Sequence, residues 1–82
     1  MILSEKEHRM RSLLETIVQN EGMSKKDIIA RSYGYTPSNK TRANAYRMLD
    51  ILAKRGLATL KREGNCVTCW PTELGVLEIW SD

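Results

Sequence analysis

The sequence predicts a single, mostly helical α+β domain, and three features of the chain support that prediction. Apolar residues at helical spacing, or helix-start signals, mark four segments. One stretch, residues 57–70, has two strand-like runs around Gly64-Asn65, which is typical of a β-hairpin. The whole chain has 82 residues, which is enough for one domain with one core and too few for two.

The first two segments are predicted as helices with serine caps. Helix one runs from about Ser4 to Asn20, and its inward stripe follows the i, i+3, i+4 rule through Met10, Leu13, Leu14, Ile17 and Val18. Helix two begins at Ser24, ends at about Arg31 or Ser32, and is followed by Gly34 in the left-handed conformation. The only histidine, His8, falls on the polar side of the first stripe.

The third segment predicts the longest helix, and it is two-sided. It begins either at Thr36-Pro37 or with Ser38 as its cap, and it ends at Gly56 in a Schellman motif. At 100° per residue one arc is apolar and the opposite arc is polar and basic. The apolar arc holds Ala45, Tyr46, Met48, Leu49, Leu52 and Ala53, and the basic arc holds Lys40, Ala43, Asn44, Arg47 and Lys54.

The hairpin and the final helix complete the chain. A two-residue Gly64-Asn65 turn fixes a register whose pairs are Leu60 with Cys69, Arg62 with Val67, Thr59 with Trp70 and Lys61 with Thr68. The face with Leu60 and Cys69 is the more apolar and is expected to lie on the helices. Trp70 lies on the other face, and we expect its side chain to be buried either by the last helix or by another subunit. Thr72 caps a short last helix through Leu74, Leu77 and Trp80.

Charge is concentrated in the middle of the chain. Residues 36–62 carry seven Lys or Arg against one acid, Asp50, whereas residues 63–82 carry four acids and no Lys or Arg. A concentrated basic segment in a small domain is typical of a polyanion-binding protein. A solvated lysine-rich face is the simpler alternative, and charge alone does not separate the two.

Several function classes are disfavoured by the sequence. Cys66 and Cys69 have C-x-x-C spacing, but strand positions three apart face opposite sides, so we expect a buried Cys69, a surface Cys66 and no metal site or disulfide between them. No nucleophile–base pair or carboxylate cluster stands out, so an enzyme is the least expected class, and no cofactor or small-molecule ligand is expected. No membrane span or secretory signal is recognisable, which makes a cytoplasmic protein the expectation.

The order of helix, helix, helix, hairpin and helix resembles the winged helix-turn-helix superfamily of prokaryotic DNA-binding regulators. Ala30 and Gly34 are similar to the alanine and glycine pair of a helix-turn-helix. The run from Ala45 to Leu57, ending in Arg55-Gly56-Leu57, is similar to a recognition helix leading into a wing. Pro71-Thr72-Glu73-Leu74-Gly75 resembles the motif that opens the helix after the wing. The connection from Tyr35 to Lys40 is longer than in the tight helix-turn-helix.

This resemblance implies a double-stranded DNA-binding regulator that inserts the third helix into the major groove. On that helix the basic arc offers base contacts through Ala43, Asn44 and Arg47. Lys40 lies one turn before Asn44, and Asn39 and Thr41 are expected to meet phosphates. Arg42, at the edge of the apolar arc, is expected to contact a flanking phosphate or to pair with a carboxylate.

Other contacts are expected from the hairpin and from the second helix. Lys61 and Arg62 beside the hairpin turn are expected to reach the backbone or the minor groove. Lys25 and Lys26, at the start of the second helix, add candidate phosphate contacts. A homodimer would double the contacts and match a palindrome. Its expected surface lies on the terminal helices and the hairpin, at Leu3, Met10, Trp70, Leu77 and Trp80.

Two other functions remain open from the sequence. One is a protein-interaction module on the same fold, whose basic face meets an acidic partner. The other is binding of RNA, or non-specific nucleic-acid binding of a chromatin-like kind. Tyr33 and Tyr35 are expected to pack the turn around Gly34 against the first helix, with stacking on a nucleotide as the alternative.

Overall fold

Four helices and a three-stranded antiparallel sheet form the domain, which was examined as a computed structural model describing residues 4–81. The elements in chain order are α1 (Glu5–Gln19), β1 (Met23–Ser24), α2 (Lys25–Tyr33), α3 (Asn39–Lys54), β2 (Ala58–Glu63), β3 (Cys66–Pro71) and α4 (Glu73–Trp80). The α+β prediction is confirmed at this level of helices and sheet.

The hairpin has the register that its turn predicts. Leu60 pairs with Cys69 and Arg62 pairs with Val67 on one face, and Thr59–Trp70 and Lys61–Thr68 alternate with them on the other. β1 was not predicted, because two residues are too few to show strand alternation. Met23 and Ser24 of β1 pair with Cys69 and Thr68, so that the sheet order is β1-β3-β2.

One core joins the first three helices to the inner face of the hairpin. It contains Met10, Leu13, Leu14, Ile17, Ile28, Ile29, Ala45, Leu49, Leu52, Ala58 and Cys69. Met10 is only 2% exposed, so its predicted place on a dimer surface is wrong: it belongs to the inward stripe of α1. Leu3, the other α1-side candidate, lies outside the described residues.

Helix ends follow their local chemistry. Ser4, Ser24, Ser38 and Thr72 are the four N-caps, and each side-chain oxygen accepts a backbone N–H three residues on. Of the two predicted starts of α3, the Ser38 cap is the one found. α2 runs one or two residues past its predicted end, to Tyr33, whose side chain packs against the core.

The end of α3 is a Schellman motif, as predicted. The Leu57 N–H donates to the Leu52 carbonyl at 3.0 Å and the Gly56 N–H donates to that of Ala53 at 3.0 Å. Gly56 has a φ of +75°, a conformation that residues with a Cβ disfavour. This turn ends α3 and sends the chain directly into β2.

A tight junction then fixes α4 against the end of α3. The Thr72 hydroxyl donates to the Gly56 carbonyl at 2.6 Å and accepts from the Gly75 N–H at 3.0 Å. A Cβ on Gly75 would overlap the Leu57 carbonyl. Only glycine at this position therefore lets α4 approach the Leu57 backbone this closely. α3, the hairpin exit and α4 are therefore held as one unit.

Trp70 is covered by a different neighbour from the one expected. Its ring lies against Gly22 in the turn after α1, and its indole N–H donates to the Thr68 hydroxyl at 3.0 Å. The Lys61 ammonium lies 4.8 Å from the ring centroid. The side chain is half-buried within one chain, so Trp70 requires neither α4 nor a second subunit as its cover.

Candidate nucleic-acid interface

The basic arc of α3 is open to solvent. Its members, Lys40, Ala43, Asn44, Arg47 and Lys54, are all exposed and are called the open face below. The opposite arc holds the helix in place, because Ala45, Leu49 and Leu52 are between 0 and 2% exposed. The sequence pattern therefore predicted both sides of this helix correctly.

Side chains in the first turn of α3 bind one another. The Ser38 hydroxyl accepts from the Thr41 N–H and donates to the Thr41 hydroxyl at 3.1 Å. The Arg42 guanidinium donates to the Asn39 amide oxygen at 2.9 Å. The partner of Arg42 in the protein is thus an amide and not the carboxylate considered from sequence. Asn39 and Arg42 are therefore hydrogen-bonded to each other at the edge of the open face.

One flank of α3 faces the hairpin turn and the start of α2. A groove of about 320 Å³ there is lined by Ser24, Lys25, Lys26, Tyr46, Asn65, Cys66 and Val67 and is called the hairpin flank. The Lys25 ammonium pairs with Asp50 at 3.5 Å, and the Lys25 side chain is 21% exposed. Lys26 is exposed. Of the two lysines, only Lys26 therefore keeps the open position expected for a phosphate contact, since Lys25 is already paired within the protein.

The hairpin separates its two candidate cations. Arg62 shares the face of Leu60 and Cys69, which packs on the helices, whereas Lys61 lies on the outer face beside Trp70. Both side chains are exposed. Successive strand residues point to opposite faces, so the two cations do not form one contact patch. Arg62 is the one directed to the helix side of the sheet.

The other flank of α3 faces the start of α1 and brings in cations that sequence reasoning missed. A groove there is lined by Lys6, Asn44, Arg47, Met48 and Ile51. A neighbouring groove adds Arg9 of α1. Arg9 lies outside the apolar stripe of α1, whereas Lys6, four residues before Met10, is in line with that stripe. Periodicity thus directs Lys6 to the inward side of α1, but only packing of α1 against α3 places both cations beside Asn44.

The cysteines take the positions that strand alternation predicts. Cys66 is exposed, Cys69 is buried, and both are free thiols. Burial raises the pKa of the Cys69 thiol to about 11, and the positive charge of Lys25 partly opposes that rise. Cys69 therefore stays a neutral thiol at physiological pH and acts as a core residue. His8 is exposed, as predicted.

Within residues 4–81, no three His, Cys, Asp or Glu side chains are close enough to hold a metal ion. In the same part of the chain, every helix is too short or too polar to cross a membrane.

Comparison with known proteins leaves the chain without an assigned family. No protein-family model, no curated protein and no solved structure matches it.

Proposed function

We propose that the chain is a winged helix-turn-helix protein that binds double-stranded DNA and regulates transcription. The observation that carries the proposal is the exposed open face, with Lys40, Asn44 and Arg47 on a helix anchored by its opposite side. The α1–α2–α3–hairpin–α4 order supports the proposal, since it is the order expected of that architecture. A helix with its side chains is about 10–12 Å wide, and the major groove of B-DNA is about 12 Å wide.

Base reading is assigned to the middle of the open face. The Asn44 amide has the donor and acceptor that match the major-groove edge of adenine, and the Arg47 guanidinium matches guanine. Ala43, one residue before Asn44, is small enough for a thymine methyl to approach. All three side chains are exposed, so the free protein needs no rearrangement to make these contacts.

Phosphate binding is assigned to exposed cations around the base-reading residues of the open face. Lys26 lies at the start of α2, Arg62 lies on the helix side of the hairpin, and Lys40 lies in the first turn of α3. Exposed cations at these places neutralise phosphates and release counterions. About three such contacts per subunit would give a slope near −2.7 in a plot of log affinity against log salt.

A second copy of the chain is the proposed partner at α4. Leu74, Leu77 and Trp80 are 52%, 55% and 72% exposed. Glu78 of the same helix lies on the rim of a small groove of about 120 Å³, which has an apolar floor and whose other charged rim residues are Glu7, Arg11 and Arg55. A two-fold interface must be self-complementary, and an exposed apolar helix face together with an apolar groove of mixed rim charge meets that requirement. A dimer then reads a palindrome, and occupancy of the site blocks or recruits polymerase.

The proposal is tested by selecting sequences from a random duplex pool and measuring binding to the winners over a range of salt. We expect an enriched motif, a steep salt slope, and loss of the motif preference in Asn44→Ala and Arg47→Ala. Equal binding of all duplexes or of RNA would indicate a non-specific nucleic-acid binder. No binding of any nucleic acid would favour the protein-interaction alternative. Arg47→Ala with unchanged duplex binding would overturn the groove-reading assignment.

A further inference from the structure

We propose that the groove between the start of α1 and the first turns of α3 binds an unpaired base of DNA, with Tyr35 as its stacking surface. The inference rests on the proposed DNA binding and names the kind of DNA preferred: a duplex that continues into a single strand. Its residues are distinct from the hairpin flank, which lies on the other side of α3.

Three side chains in contact, Arg9, Tyr33 and Tyr35, form a row, and Tyr35 is its outer member. The Arg9 guanidinium lies 3.9 Å from the centroid of the Tyr33 ring, and Tyr33 packs against the core. The rings of Tyr33 and Tyr35 are 6.0 Å apart and inclined at 85°. An edge contact of this kind leaves at least one face of Tyr35 clear of Tyr33, and Tyr35 is 61% exposed. The row orients the outer tyrosine without covering it.

The rest of the groove carries the polar groups that a nucleotide needs. It measures about 380 Å³ and is lined by Glu5, Lys6, Arg9, Tyr33, Tyr35, Thr41, Asn44 and Met48. Lys6 and Arg9 supply positive charge for the backbone, and the Thr41 hydroxyl, which accepts from Ser38, can donate its own hydrogen to a base edge. Among the described residues that line the groove, Glu5 is the one acid, and its carboxylate can accept from an exocyclic amine. Met48 adds an apolar wall.

Stacking on an open aromatic face selects for unpaired DNA. A base inside a duplex is covered above and below by its neighbours, whereas an unpaired base has a free face for a side-chain ring. The groove shares Asn44 with the open face of α3. A strand leaving a duplex bound on the open face therefore passes directly beside Tyr35.

The experiment compares a blunt duplex with the same duplex bearing a short single-stranded overhang on either strand. 2-Aminopurine, a fluorescent base, replaces the first unpaired base. We expect tighter binding of one overhang form by about tenfold and quenching of the 2-aminopurine signal on binding. Tyr35→Ala should remove both effects and leave blunt-duplex affinity unchanged, whereas Tyr35→Phe should keep them. Arg62→Ala should weaken blunt and overhang forms alike.

The outcomes separate this inference from the proposed function. Equal affinity for all forms in the wild-type protein, or an overhang preference that survives in Tyr35→Ala, overturns the Tyr35 site while duplex binding stands. Tyr35-dependent binding of a single strand without any duplex binding supports the site and overturns the regulator. Circular dichroism checks that the exposed Tyr35 substitutions leave the fold intact.

Discussion

α3 and α4 both present an uncovered face, but the two faces differ in chemistry. The open face of α3 is polar and carries three cations, Lys40, Arg47 and Lys54. That of α4 carries Leu74, Leu77 and Trp80, each more than half exposed. Water solvates the first without cost, whereas the second leaves apolar area in water that a partner would remove.

The difference favours different kinds of partner for the two faces. A cationic face anchored by its opposite side suits a polyanion, and an exposed apolar face suits another protein surface. The two helices are joined through Thr72, which bonds the Gly56 carbonyl after α3 and caps α4. Two such units paired through α4 would therefore hold their α3 helices at a fixed separation, which is what half-site spacing requires.

The largest expected effect follows from charge reversal on the open face. Arg47→Glu should weaken binding to the selected duplex by about 100-fold, because it removes a base contact and adds repulsion from phosphate. Fluorescence anisotropy at moderate salt measures the affinity of each variant for that duplex. Arg31→Glu, the same change on an exposed position of α2, is the control and should alter affinity by no more than about threefold. A similar loss in both variants would mean that net charge, and not the α3 face, governs binding.

The second effect concerns the α4 face. Trp80→Ser should weaken self-association by about 30-fold, the size of an interface hot spot, because the variant lacks the large ring that would be buried against the second copy. Sedimentation over a range of protein concentrations measures the dissociation constant of the dimer. Tyr35→Ser removes an equally open aromatic from another part of the surface and should leave the dimer unchanged. A wild-type chain that remains monomeric at high concentration would contradict the proposed role of α4.

The sequence predicts much of this fold because the relevant signals are local. A two-residue turn fixes the hairpin register, and a 3.6-residue period separates the core side of α3, with Leu49 and Leu52, from its exposed side. Serine caps and the Gly56 turn set the helix limits. These features depend on residues within a few positions of one another, which is why they were predicted from one sequence.

What the sequence could not supply depends on contacts between distant segments. The Lys25–Asp50 ion pair joins α2 to α3, and the approach of Lys6 and Arg9 to Asn44 depends on how α1 crosses α3. Met10 received two incompatible predictions from the sequence. Its helical spacing predicted burial, which the structure confirms, whereas its assignment to a dimer surface was wrong. Side-chain partners of this kind are settled only by tertiary packing.

A smaller effect distinguishes the two hairpin cations. Arg62→Ala should lower duplex affinity by about fivefold and reduce the salt slope by about 0.9, because one phosphate contact is lost. Lys61→Ala should change affinity by less than about twofold, since its ammonium lies over Trp70 on the outer face. Each variant is thus the control for the other. Equal losses from both would show that the hairpin meets DNA edge-on, with both strand faces against the backbone.

The smallest effect concerns Asp50, the only acid among residues 36–62. It is 59% exposed and pairs with Lys25 at 3.5 Å, so Asp50→Asn should cost less than about 1 kcal/mol of stability. It also removes repulsion and releases Lys25 toward phosphate, so duplex affinity should rise by about two- to threefold with a steeper salt slope. Glu15→Gln, at an exposed position in the middle of α1, is the matched control and should leave both values nearly unchanged. A fall in affinity would instead make the ion pair a support that positions α3, and the hairpin flank would then be structural.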